Sequence, residues 1–212
     1  MILFDFDGTL ANSLEAAFQA YNRIAPEYGT VQMEDEDRKL LSGGNPKDLL
    51  KKYGISPQKL GTLMLRIRKE LRHCIAELKP VPGMETVMQA LYQEGHSLGI
   101  VTSNARENVL LFLKNNQLEE YFQLVYTGKS LFGKDKVFKR LFKQKGLSPK
   151  EVLYVGDETR DIEACKKTGI PIIAVSWGIN NRKTLSALEP EGLADSPEEI
   201  PGLIRKINKN RE

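Results

Sequence analysis

The chain of 212 residues is poor in several things at once. It has two cysteines, Cys74 and Cys165, too few for a disulfide framework, and neither lies in a C-x-x-C or Cys/His cluster with metal-site spacing. Both read as buried or indifferent thiols in a reducing compartment. The two histidines, His73 and His96, fall in no motif and read as incidental. No apolar run approaches eighteen residues and no basic leader precedes a long apolar segment, so the expectation is a cytoplasmic protein without a membrane partner. Neither sign of charge dominates: 31 basic and 28 acidic residues are interspersed and sum to +3, unlike the clustered basic stripe of a nucleic-acid binder. Small anionic partners remain open. Repeats and low-complexity segments are absent. With 41% hydrophobic and 28% charged residues, the chain can bury a real core in one or two domains.

What the chain does have begins at once. Met1 to Phe4 has the length and apolarity of a buried parallel strand, and Gly8 with Thr9 forces a turn at its carboxyl end, which leaves Asp5 and Asp7 at a strand tip. In an open α/β sheet that is where ligands bind. A D-x-D-G stretch also fits an acidic turn or a calcium loop, but the third spaced acid and the closing acid of such a loop are missing.

From Leu14 the apolar positions Ala17, Phe18, Tyr21, Ile24, Ala25 and Tyr28 recur at helical spacing, and Asn12 with Glu15 has the form of a capping box. Asn45-Pro46 starts a short helix through Leu50 that ends near Gly54, and Ser56-Pro57 opens another. In the latter, Leu60, Leu63, Met64, Ile67, Leu71, Cys74, Ile75 and Leu78 form one stripe, and Arg66, Arg68, Lys69 and Arg72 should mostly face water. Residues 13–80 therefore read as a helical insertion closed by Pro80, Pro82 and Gly83.

Beyond it helices and strands alternate. Strands are expected at Ser97–Thr102, Gln123–Tyr126, Glu151–Val155 and Ile172–Ser176, with helices around Val87–Tyr92, Val109–Leu113 and Lys134–Lys145, and a last one capped by Ser196 through Ile207. The pattern predicts an α/β fold with a doubly wound parallel sheet. Three strand tips then carry polar groups: Asp5 and Asp7; Thr102, Ser103 and Asn104; Asp157 and Asp161. Taken singly, Ser103 reads as a helix N-cap, Lys134 as a solvated helix start and Gly156-Asp157 as a turn. Together they meet the needs of phosphoryl transfer, namely a nucleophile, positive charge on the equatorial oxygens and fixed donors. Asp5 and Asp157 suit Mg²⁺, which takes carboxylates, waters and a phosphate oxygen.

These motifs resemble the haloacid dehalogenase superfamily, near its phosphoglycolate phosphatases. The resemblance implies a Rossmann-like core from residues 1–12 and 81–212 and an inserted helical cap from 13–80. It implies Asp5 as nucleophile and Asp7 as general acid and base with its carbonyl on Mg²⁺. Ser103 and a lysine, beside Thr102 and Asn104, would bind phosphate, with Asp157 and Asp161 at the metal end. Relatives often have Lys-Pro where this chain reads Gly133-Lys134-Asp135-Lys136, and Lys134 is preferred to Lys136. Asp161 can instead orient its neighbours. Glu158 and Arg160 could touch metal or cap, and Asn180, Asn181 and Arg182 fall in a nearby loop. The implied activity is hydrolysis of a small phosphorylated metabolite through an aspartyl phosphate. A dehalogenase or phosphonatase is disfavoured by Asp7, and a sugar-phosphate mutase by Ala16-Ala17-Phe18 where a hinge histidine is usual. A non-catalytic phosphate-binding module is disfavoured by the intact acids. Oligomeric state and the particular ester are not legible.

Overall fold

The computed structural model describes residues 1–34, 52–56, 62–63, 65–67, 70, 75–128 and 133–211. Six strands form one sheet, β1 (Ile2–Phe4), β2 (Leu98–Thr102), β3 (Phe122–Thr127), β4 (Leu153–Gly156), β5 (Ile172–Val175) and β6 (Gly192–Ala194). All neighbours pair parallel, in the order β3-β2-β1-β4-β5-β6. Among the described residues, the helices with defined bounds are α1 (Ser13–Ile24), α2 (Met84–Gln93), α3 (Arg106–Asn115), α4 (Lys134–Lys145), α5 (Thr159–Thr168), α6 (Arg182–Ser186) and, after β6, α7 (Ile200–Lys209).

Alternation along β1 explains the two-layered core. Ile2 and Phe4 face a cluster with Met84, Met88 and Leu91 of α2, Val109 and Phe112 of α3, and Ile200 and Ile204 of α7. Leu3 faces the opposite cluster, with Phe138 and Leu141 of α4 and Ile162 and Cys165 of α5. Burial on both faces is why these strands read as apolar runs rather than alternating ones. Strand order reverses around β1, which pairs with both β2 and β4, so the carboxyl end of β1 opens into the crevice at the topological switch point.

Behind Asp7, Leu10 and Ala11 still pack into the first core cluster; the chain then enters α1 and returns at Pro80. The two passages lie side by side: Asn12 N–H donates to Lys79 O at 2.9 Å and Val81 N–H to Leu10 O at 2.9 Å, with an antiparallel bridge between Ala11 and Pro80. Between them a separate apolar cluster contains Phe18, Tyr21, Ile24, Met33, Tyr53, Ile55 and Leu63. Ile75 and Leu78, by contrast, pack into the first core cluster.

Local differences from the expected pattern have physical causes. Asn12 makes no capping bond, its backbone being committed to the pairing with Lys79, and α1 begins at Ser13 without a box. The helix stops at Ile24 because Pro26 has no N–H to continue the ladder, and the chain turns through a 3-10 segment, Ala25–Tyr28, into Gly29 at φ +61°. Ser196 likewise makes no side-chain cap: a 3-10 turn at Pro197–Glu199 intervenes before α7. Arg66 is half-buried, with Glu70 at 3.2 Å. The expected Asn45–Leu50 helix, and Leu60, Met64, Arg68, Lys69, Leu71, Arg72, His73 and Cys74, lie outside the described residues.

Phe112 is fully buried and meets Phe6 edge-to-face at 5.0 Å beneath the crevice. Phe112→Ala is expected to cost about 3–5 kcal/mol of stability, read as a lower midpoint in urea denaturation.

Candidate active site

The expected strand tips converge at the carboxyl end of β1. Asp5 follows the strand directly; its Oδ1 accepts from Phe6 N–H at 2.8 Å and its Oδ2 from Lys134 Nζ at 2.7 Å. Lys134, the first residue of α4, also donates to Asp161 Oδ1 at 2.6 Å. Its ammonium lies 4.9 Å from the centre of the Tyr154 ring, and that phenol donates to Val101 O. Lys136 is exposed. Asp161 Oδ2 accepts from Glu158 N–H at 3.3 Å, so both of its oxygens are engaged. Asp157 accepts from Thr9 Oγ1 at 2.8 Å and Ile179 N–H at 2.7 Å.

Four charged side chains are thus buried together: Asp5, Lys134, Asp157 and Asp161. Their pKa values register the crowding. Burial, then Asp5 and Asp161, hold Asp157 well above the carboxylate range. Burial pushes Asp161 up to about 6 against the pull of Lys134. Burial works against a charged Lys134, but Asp161 and Asp5 outweigh it and its pKa is raised. One oxygen each of Asp5, Asp157 and Asp161 lies within 4.8 Å of the others. Three oxygen donors, with one lysine to offset them and no nitrogen or sulfur ligand in the cluster, match a hard divalent cation.

Glycine makes the close approach possible. A Cβ on Gly8, which has φ +76°, would sit 2.5 Å from Asp157 Oδ2; one on Gly156 would sit 2.5 Å from Asp161 Oδ2; and one on Gly178 would overlap Asp157 outright.

Asp7 stands apart from the four. It is half-buried, and burial followed by the neighbouring Asp5 charge pushes it up to about 6, against hydrogen bonds from Asn104 and Ser13. Asn104 Nδ2 lies 3.0 and 3.3 Å from its two oxygens. At the tip of β2, Thr102 is buried and its Oγ1 accepts from Asn104 N–H at 3.0 Å, while Ser103 is exposed. No described contact ties Ser103 to the carboxylates.

The reading of the motifs left several supporting groups without a role. Asn180 holds the Asp157 loop from both sides, accepting from Thr159 N–H at 2.8 Å and donating its own N–H to Asp157 O at 3.2 Å. Trp177 donates from its indole to Thr9 O at 3.2 Å. Only the Asn-Asn-Arg run hinted at the first, and nothing at the second. Asn181 caps α6 through Thr184 N–H, and Arg182 pairs with Asp195 at the surface. Glu158 pairs with Arg160 at the start of α5. His96 sits beside Glu94 just ahead of β2, at the opposite end of the sheet from the site.

Residues 2–175 match the model of the haloacid dehalogenase-like hydrolase family. The chain is 34% identical to a phosphoglycolate phosphatase of Synechococcus elongatus over 97% of both chains. A haloacid dehalogenase-like hydrolase from Streptococcus pneumoniae superposes with a TM-score of 0.78 at 21% identity, over 96% of this chain and 97% of the other. A Thermotoga maritima protein described as a candidate β-phosphoglucomutase does so at 0.70 and 26%, over 97% and 98%.

Replacing Lys134 by the apolar Met leaves Asp5 and Asp161 without their shared cation. Lys134→Met is expected to lose about 3–5 kcal/mol near neutral pH. A carboxyl whose folded pKa lies above its unfolded value penalises folding above that pKa and not below its unfolded one, so the deficit should shrink as pH falls from about 7 towards 4. Urea unfolding across that range measures both.

Proposed function

The chain belongs to the haloacid dehalogenase-like hydrolase family, and from that premise we propose that it hydrolyses a small phosphorylated metabolite through a phosphoryl group carried on Asp5, with phosphoglycolate as the first substrate to try. The observation that supports this most is the division of labour between two acids on one strand tip. Asp5 is held by a backbone N–H and an ammonium, as a nucleophile must be. Asp7, two residues on, is held by a neutral amide and pushed up to about 6, as a group that gives and takes a proton must be.

In this reading a carboxylate oxygen of Asp5 attacks phosphorus while Asp7 gives its proton to the departing ester oxygen. Asp7, now ionised, takes a proton from water, and the water oxygen attacks the phosphoryl group on Asp5, breaking the P–O bond to the carboxyl and freeing inorganic phosphate. Lys134 offers its ammonium to the phosphoryl oxygens, and Ser103, exposed at the β2 tip, offers a hydroxyl. Asp5, Asp157 and the Asp7 carbonyl would hold Mg²⁺, with Asp161 the fourth candidate. Because both Asp161 oxygens are already engaged, its main part is to fix Lys134. When bound, the ion neutralises charge on the phosphoryl oxygens and lets an anion approach the carboxylates.

The segment 13–80 would act as a cap over the site, hinged where Asn12 pairs with Lys79 and Leu10 with Val81. Covering the site excludes bulk water during the first transfer, and the cap side chains set which ester fits. Hydrolysis is preferred to phosphoryl return to a sugar hydroxyl because α1 offers Ala16, Ala17 and Phe18 near its start rather than a histidine, and Ala16 packs against the core.

Asp5→Asn should abolish turnover of phosphoglycolate and of p-nitrophenyl phosphate alike, and wild-type protein quenched during turnover should carry a phosphoryl group on the peptide containing Asp5. Intact-peptide mass spectrometry decides it; phosphate on Ser103 or on a histidine instead would overturn the mechanism. Activity should be lost in chelator and return with Mg²⁺, and activity that survives exhaustive chelation would overturn the metal assignment.

A further inference from the structure

We propose that Asn104 is a positioning residue for Asp7, holding the proton-transferring carboxyl in place from the body of the core instead of binding the phosphoryl group. The proposal rests on the assignment of Asp7 as general acid and base.

The geometry begins with the amide's orientation, which its neighbours settle. Ala105 N–H, 2.8 Å from one end of the Asn104 amide, is a donor and needs an oxygen; the Asn108 amide nitrogen lies 2.9 Å from that same atom. That end is therefore Oδ1. The NH₂ end must then face Asp7, where it meets Oδ2 at 3.0 Å and Oδ1 at 3.3 Å. The backbone of Asn104 is fixed in turn, its N–H donating to the buried Thr102 hydroxyl at 3.0 Å. Asn108 lies in the first turn of α3, on a rigid element of the core.

Asn104 is thus anchored at three points, and its remaining group, the NH₂, is on Asp7. A residue arranged to bind phosphate would leave its donors open toward the crevice; here the NH₂ group is taken up by a carboxylate. Asp7 needs such a hold. It lies beyond the end of β1, next to the passage where the chain leaves the core, and its other side-chain partner, Ser13, belongs to the first turn of α1. If that segment moves, the Ser13 contact moves with it, whereas Asn104 stays with the sheet. A shift of about 1 Å in a reacting group can cost a factor of roughly a hundred in rate, so a fixed partner on the core side has a direct chemical use.

Leaving-group dependence provides the test, because a positioned acid matters for an alkoxide and little for an activated aryl oxide. The probes are 2-phosphoglycolate as the alkyl ester and p-nitrophenyl phosphate as the aryl ester, each followed as kcat/KM, which reports the steps through the first phosphoryl transfer. Asn104→Ala is expected to lower kcat/KM for the alkyl ester by roughly tenfold or more while changing it less than about threefold for the aryl ester. Inhibition by inorganic phosphate should be unchanged. Asn108→Ala leaves the Asn104 donor in place but frees it to turn, and should give a smaller loss with the same selectivity.

Equal losses on the two esters, or weaker inhibition by phosphate, would mean that Asn104 supports the fold or binds the phosphoryl group, and the proposal would fall. Wild-type rates on both esters would also defeat it. Asp7→Asn separates this from the underlying reading: it should show a still larger difference between the esters. If Asp7→Asn shows none, the assignment of Asp7 fails, and the inference about Asn104 falls with it.

Discussion

The structure depends on the placing of one ammonium group among three buried carboxylates. Removing an ion from water costs several kcal/mol even after relaxation, and a pair recovers this only with good geometry and additional hydrogen bonds. Lys134 has both, bridging Asp5 and Asp161 at 2.7 and 2.6 Å from the first turn of α4. The remaining carboxylate oxygens are met by backbone N–H groups of Phe6, Glu158 and Ile179 and by the Thr9 hydroxyl. Those donors come from the loops after β1, β4 and β5, so the cluster can exist only where these strands end side by side. Sheet order and site are in this sense one constraint: β1 must lie between β2 and β4 for Asp5, Asn104 and Asp157 to share a crevice.

The same constraint accounts for the glycines around it. Gly8, Gly156 and Gly178 each bring backbone within the space a methyl group would need beside Asp157 or Asp161. At Gly8 the positive φ adds a second reason, since an L side chain rarely adopts φ +76°. The D-x-D-G spacing therefore encodes more than two acids. It encodes the turn that lets a third carboxylate, from a strand far along the sequence, come against the first loop.

Most of the core was legible because each element carried its own period or its own breaker. Lys134–Lys145 has the bounds its apolar stripe and Gly133 and Gly146 dictate, and β1, β2 and β5 differ from expectation by a residue at their ends. What escaped was short or held from outside. Residues 192–194 of β6 are Gly-Leu-Ala, which has no strand signature and forms only because β5 offers an open edge. The cap of Asn12 was legible as a motif and is absent because pairing with Lys79 takes the backbone elsewhere, a tertiary effect on a local signal. At the site the acids and Lys134 were legible by type and position. Asn104 was legible as polar but not as a partner of Asp7, since its assignment rests on Ala105 N–H and Asn108, which no motif records. Asn180 was legible only as a residue of a nearby loop, for the same reason.

Charge balance explains why such a site suits a phosphate ester only in company. With all four buried groups ionised, three carboxylates and one ammonium leave two negative charges at the crevice, and a phosphomonoester dianion brings two more. Lys134 cannot offset both sides unaided, because its single positive charge is already shared between Asp5 and Asp161. In the proposed reading, a divalent cation held by Asp5 and Asp157 would change the sum before the ester arrives. It would also relieve the repulsion that helps raise Asp157, whose pKa reflects burial first and the neighbouring acids second. Cation and phosphate would then favour each other's binding, each lowering the electrostatic cost of the other, and by linkage the coupling would be equal in both directions. The spacing of the acids at this crevice fits the proposed ternary arrangement of carboxylate, cation and phosphate. A phosphate ester alone would meet net repulsion, whereas a cation alone would meet net negative charge.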